Sequence, residues 1–87
     1  MPITIIDHAR ERMLERGASE DEVRITLEEG IPSEAKSGRK AKEKIFAYDG
    51  FWLGRRYPQK KVRVIYVEEG EELVVLTVYA YYGQWEG

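Results

Sequence analysis

His8, Arg12 and Arg16 stand four residues apart in the run His8-Ala9-Arg10-Glu11-Arg12-Met13-Leu14-Glu15-Arg16-Gly17. On a helix, residues four apart are surface neighbours, so the three side chains form one ridge. An imidazole with an ordinary pKa of about 6.5 exchanges protons near neutral pH. A guanidinium stays charged and presents a fork of N–H donors that matches phosphate oxygens. Side by side, these groups suit chemistry on a phosphate. His8 is the only histidine in the chain, so imidazole acid–base chemistry has one candidate.

The same ridge also has an architectural reading. Glu11, Glu15, Glu20 and Asp21 lie close enough in sequence to pair with Arg12 and Arg16. Exposed pairs of that kind contribute only about 0–1 kcal/mol.

Charge is strongly segregated behind a net value of −2. Residues 1–35 carry four basic and nine acidic side chains, residues 36–63 ten basic and two acidic, and residues 64–87 five acidic and none basic. A mildly acidic protein can therefore present a basic patch that attracts a polyanion. Arg55, Arg56, Lys60 and Lys61 lie in that middle stretch with Trp52, Phe51 and Tyr57 among them. Cations interleaved with aromatics are what single-stranded nucleic-acid binders use to hold phosphates and stack bases. They equally describe a solvated sheet edge, where lysines and arginines discourage aggregation. Arg63 is a further phosphate-clamp candidate. Tyr79 and Tyr81 could donate a proton, stack on a base or simply cover the sheet.

Other chemistries fit this sequence less well. With no cysteine and one histidine, neither a disulfide framework nor a zinc site is expected. No glycine-rich phosphate loop follows a strand, and no serine sits in a nucleophile elbow. Catalysis, if present, is expected to need neither metal nor cofactor.

The elements that must position these residues can be read from local signals. Asp7 is the expected N-cap and Gly17 the C-cap of a first helix, with Ala9, Met13 and Leu14 toward the core. Ser19-Glu20-Asp21-Glu22 is a capping box that opens a second helix ending near Gly30. Its apolar side is Val23, Ile25 and Leu27, with Thr26 at the margin. Residues 31–42 read as a loop. Four strands follow: Lys44 to Tyr48, Phe51 to Arg56, Lys61 to Val67 and Glu72 to Tyr82. The dipeptide Asp49-Gly50 is the expected first hairpin turn. In the last strand, alternation places Val74, Leu76, Val78 and Ala80 under the helices. Leu73, Val75, Thr77, Tyr79 and Tyr81 then fall on the open face. The expected architecture is α+β: two N-terminal helices (about 7–30) packed on a four-stranded antiparallel meander (about 43–82). The 87 residues make a single domain. The start of the chain lacks a basic segment followed by an apolar stretch, and no apolar run approaches the ~20 residues of a membrane span. A soluble cytoplasmic protein that avoids membranes is expected.

His8-Ala9, Arg12-Met13 and Arg16-Gly17 together resemble the H-A-x-x-R-M-x-x-R-G signature of a bacterial family, domain of unknown function 4258. Thr77-Val78-Tyr79 resembles its terminal strand, and the likeness covers nearly the whole chain. Ala18 departs from the isoleucine often found there, which should loosen the inter-helix turn. The layout is similar to RelE-like and barnase-like ribonuclease toxins, which act without a metal. The resemblance implies a metal-independent endoribonuclease acting on RNA, with His8 as acid or base and Arg12, Arg16, Arg63 and Tyr79 in support. An inhibitory, antitoxin-like protein partner would accompany a toxin. The alternative is a non-catalytic module that binds nucleic acid or an acidic protein through residues 36–63. A homodimer through the tyrosine-rich end is a third expectation.

Overall fold

A computed structural model describes residues 2–85. The order is β1 (Ile3–Ile5), α1 (Asp7–Arg16), α2 (Glu20–Glu29), β2 (Ile31–Glu34), one 3-10 turn (Lys36–Gly38), β3 (Lys40–Trp52), β4 (Arg55–Glu69) and β5 (Glu72–Gly83). The strands form one mixed sheet in the order β1-β5-β4-β3-β2. Neighbours are antiparallel except β1, which runs parallel to β5. The fold is α+β with two helices and five strands, which corrects the expected four antiparallel strands. The two additions lie at the edges. Ile3–Ile5 becomes a strand by pairing with Leu73–Val75, and Ile31–Glu34 by pairing with Lys40–Glu43. Pro32 has no N–H to donate and is tolerated because β2 is an edge.

Gly17 ends α1 in the left-handed conformation, at φ +77°. Ile6, rather than Asp7, occupies the N-cap; Asp7 is the first helical residue, where a carboxylate complements the helix dipole. The Ser19 capping box forms in both directions. Ala9 and Met13 are buried, whereas Leu14, expected beside them, is 84 % exposed. In α2 the fully buried Thr26 joins Val23 and Leu27; its hydroxyl donates to the Glu22 carbonyl, so burial leaves no orphan donor. Ala18 is itself buried in the core, so the small side chain is accommodated at the turn.

β3 passes straight through Asp49-Gly50. The pairings Ala47↔Gln59 and Gly50↔Tyr57 leave Tyr48 and Asp49 opposite Pro58 alone, which is a bulge. Pro58 cannot supply a ladder N–H, so the extra residue falls where no bond is lost. The hairpin turns four residues later at Leu53-Gly54, both at positive φ, with Trp52 paired to Arg55.

A second bulge decides which face each β5 residue occupies. Ile65 pairs with Thr77 but Tyr66 pairs with Val75, so Leu76 is the extra residue. After the bulge, Val78 and Ala80 face the helices as expected. Before it the faces are exchanged: Leu73 and Val75 belong to the core, whereas Val74 and Leu76 do not. Val62, Val64 and Tyr66 of β4 complete that core with Ala9, Met13, Val23 and Leu27. Each buried valine contributes roughly 1.5–3 kcal/mol.

Candidate functional site

α1 packs against β5, and β1 covers the edge of β5 only along Leu73–Val75. Beyond Val75 that edge has no strand neighbour among the described residues. The ridge on α1 lies beside it, and a groove of about 430 Å³ opens there. His8, Arg12, Arg16, Arg39, Thr77 and Tyr79 line it, with Ile6 and Leu76. Four of the five expected catalytic residues therefore share one groove. The Leu76 bulge sits in its wall and sets Thr77 and Tyr79 on the face opposite Val75 and Val78.

Each arginine is held differently. One Arg12 terminal nitrogen donates to both carboxylate oxygens of Glu15, at 3.0 and 2.9 Å. Arg16 donates to the Val78 carbonyl at 2.8 Å and lies over the Tyr79 ring, 4.6 Å from its centroid. Neither contact neutralises its charge. Arg39 arrives from the turn after β2, which is closed by Ala35 N–H to the Arg39 carbonyl (3.2 Å) and Arg39 N–H to the Lys36 carbonyl (3.3 Å). Among the described residues no carboxylate pairs with Arg16, Lys36 or Arg39. His8 is exposed at the groove mouth. The arrangement places a titratable imidazole, a phenol and three guanidiniums around one space, which matches a phosphate in charge.

The remaining sequence candidates go elsewhere. Arg63 sits on the open face of the sheet, donating to Ser33 Oγ at 3.0 Å with Glu43 at 3.6 Å. It lines a second hollow rather than the groove, although Tyr79 is its cross-strand partner. Arg55 and Arg56 begin β4 next to the hairpin turn and line neither space; Arg56 pairs with Asp49. Lys61 lies over the Trp85 ring at 4.7 Å.

Lys60 and Trp52 are built into the fold. Lys60 is 5 % exposed, pairs with Glu22 at 2.8 Å and donates to the Gly17 carbonyl. The Tyr48 and Tyr82 rings flank its ammonium at 5.5 and 5.8 Å. Trp52 stacks on Tyr82, with centroids 4.8 Å apart and planes within 10°. Tyr82 donates to the Arg16 carbonyl at 2.8 Å. Burial, then the neighbouring Tyr48 and Glu22, pushes its phenol up to about 12. A side chain on Gly17 would meet Tyr82 Oη at 2.6 Å and the Trp52 ring at 2.7 Å, so the motif's glycine is needed for space as well as for φ. Between β3 and β4, the hydrogen bond from Lys40 to Glu68, then the charge of Glu68, raises the Lys40 pKa.

Sequence reasoning missed Arg39. Nothing local marks it, since its place in the groove depends on β2 pairing with β3. Among the described residues no cluster of three metal-ligating side chains occurs, and no helix is long and apolar enough to cross a membrane.

Two helices on one face of a mixed five-stranded sheet, with a cationic groove where the first helix meets the last strand, define an α+β class of small protein. The chain belongs to the family described as Domain of unknown function (DUF4258), whose model matches residues 5–80 and so spans every residue of the groove. Searches among curated proteins and solved structures gave no match.

Proposed function

We propose that this protein is a small metal-independent endoribonuclease, similar in layout to RelE-like and barnase-like toxins, with the α1–β5 groove as its active site. The observation that carries the reading is the convergence of His8, Arg12, Arg16 and Tyr79 on one space. In this reading His8 takes the proton of an RNA 2′-hydroxyl. The 2′-oxygen bonds to the adjacent phosphorus, the bond from phosphorus to the 5′-oxygen breaks, and the leaving oxygen takes a proton from the Tyr79 hydroxyl. The products are a 2′,3′-cyclic phosphate and a free 5′-hydroxyl. Arg12, Arg16 and Arg39 stabilise the crowded, doubly charged phosphorus centre. An acidic protein that fills the same groove would serve as inhibitor.

The test is RNA incubated with purified protein in chelator. Wild type is expected to cleave, and His8→Ala to be about 10²–10⁴-fold slower, the usual worth of a positioned acid or base. Undiminished cleavage by His8→Ala would remove His8 from the mechanism. A second reading is favoured by the grip that Glu15 and the Val78 carbonyl already have on Arg12 and Arg16. In that reading the groove binds nucleic acid without turnover, and the same assay gives salt-sensitive binding with no product.

A further inference from the structure

The groove does not end at Tyr79. A second hollow of about 620 Å³ adjoins it on the open face of the sheet and shares Arg39, Thr77 and Tyr79 as common wall. Its remaining wall is Lys36, Arg63 and Tyr81 with Ala35, Ile65 and one carboxylate, Glu34. Two features of this second hollow have no structural employment. Lys36 and Arg39 form no ion pair among the described residues, Glu34 included, although it shares the hollow with them. Tyr81 is 46 % exposed although it stands on a strand that supplies the core. Its ring is parallel to that of Tyr79, with planes within 12° and centroids 6.3 Å apart. Arg16 lies over the half-buried Tyr79, so Tyr81 is the more exposed member of the pair.

We infer that this second hollow is a binding subsite for single-stranded RNA, in which Tyr81 stacks on a base while Lys36 and Arg39 hold the phosphates between that base and the α1–β5 groove. The inference rests on the reading of the groove as the seat of the chemistry and names the form of its substrate. A base offers its face to Tyr81 only when it is unpaired. A duplex hides those faces inside its stack and presents phosphates and groove edges instead. An acidic peptide would answer the cations but leave the tyrosine pair without a partner. Arg39, common to both spaces, keeps the strand continuous from one to the other. Base stacking is tolerant of sequence because every base has a π face, so the subsite selects strandedness more than sequence.

Binding is measured by fluorescence anisotropy with a 5′-fluorescein RNA octamer, single-stranded or annealed to its complement. His8→Ala protein in chelator serves as the background, so that the probe stays intact. The single strand is expected to bind at least tenfold tighter than the duplex. Adding Tyr81→Ala should weaken single-strand binding by about 5- to 150-fold, the measured range for losing one stacked base. Tyr81→Trp should retain it. Arg39→Ala should reduce the slope of log affinity against log salt by about 0.7, the value for one phosphate contact on a single strand. Equal affinity for duplex and single strand, or no change in Tyr81→Ala, overturns the subsite. So does competition by polyglutamate that Tyr81→Ala leaves unaltered. The two readings fail separately. Octamer binding with the expected Tyr81 dependence but no cleavage by wild type removes the nuclease and leaves the strand-binding surface. Cleavage by wild type whose kcat/KM is untouched by Tyr81→Ala removes the subsite and leaves the His8 mechanism.

Discussion

Two regions of this protein set cations beside tyrosines, and they use them in opposite ways. Under the α1–α2 turn, Lys60 lies between Tyr48 and Tyr82 with Glu22 and the Gly17 carbonyl as partners. In the α1–β5 groove, Arg16 lies over Tyr79 with a single carbonyl, and Arg39 has no acidic partner among the described residues. The first set is buried and its charge is met. The second is open and its charge is in excess. Removing one partner of a buried pair strands the other, whereas an exposed unmatched cation costs the fold little and remains available to an anion. Composition and sequence neighbourhood do not separate the two sets; the difference comes from what lies across the sheet.

The largest expected effect is therefore at Lys60. Lys60→Met keeps most of the aliphatic stem and removes the charge, leaving the Gly17 carbonyl without its side-chain donor and the Glu22 carboxylate without its cation, held only by the Ser19 N–H. The cost should be about 3 kcal/mol, the lower end for breaking a buried pair. For a domain of this size that corresponds to a fall in Tm of roughly 10–20 °C. Arg39→Ala, made on the exposed turn, should move stability by less than about 0.5 kcal/mol. Thermal melts of the two variants compare the regions directly. Similar small shifts in both would mean that the Lys60 cage is not the structural anchor its burial implies.

How much of this was legible in the sequence follows the range of the interaction. The helices were readable because their determinants are local: Gly17 must take a positive φ, and Ser19 and Glu22 cap each other within one turn. The His8–Arg12–Arg16 ridge was readable for the same reason. The sheet was harder. Asp49-Gly50 is equally suited to a hairpin turn and to a bulge, and the choice falls to the bulge opposite Pro58, nine residues after Asp49, which has no N–H to pair. The face exchange at Leu76 is set by pairing with β4, so alternation along β5 alone could not reveal it. Ile3–Ile5 and Ile31–Glu34 are strands only because distant residues pair with them. Lys60 and Lys61 are neighbours in a basic stretch, yet one enters the core and the other lies over Trp85.

An intermediate effect is expected from alkaline pH, and it acts on the caged region alone. Tyr82 titrates near 12 in the folded protein, against about 10 in the unfolded chain, because folding favours the neutral phenol. The stability this contributes is fully present below pH 10 and is lost as pH rises through 12, since above 10 the unfolded state releases a proton that the folded state retains. Phenolate absorbance should show one tyrosine lagging behind the others, and Tyr82→Phe should abolish the lag. The same variant also removes the hydroxyl's bond to the Arg16 carbonyl, so the lag, more than the change in Tm, is the diagnostic reading.

Arg16 gives a smaller effect on stability than Lys60 and the sharpest test, because it touches both regions through different atoms. Its main-chain carbonyl accepts from Tyr82 in the cage, while its guanidinium reaches the Val78 carbonyl and the Tyr79 ring in the groove. Arg16→Ala deletes only the second set. The lost charged hydrogen bond lies at a partly buried strand edge that water can reach once the side chain is gone, so the cost should be about 1–2 kcal/mol. The carbonyl stays, so the late titration of Tyr82 should be unchanged. RNA affinity should fall and its dependence on salt should weaken, because a phosphate-facing cation is missing. A Tyr82 midpoint that moves with Arg16→Ala would show that the side chain also shapes the cage, and the two regions would then have to be treated as one coupled unit. An unmoved midpoint with reduced RNA binding would separate them: the motif's backbone and glycine build the fold, and its side-chain ridge is left to meet the ligand.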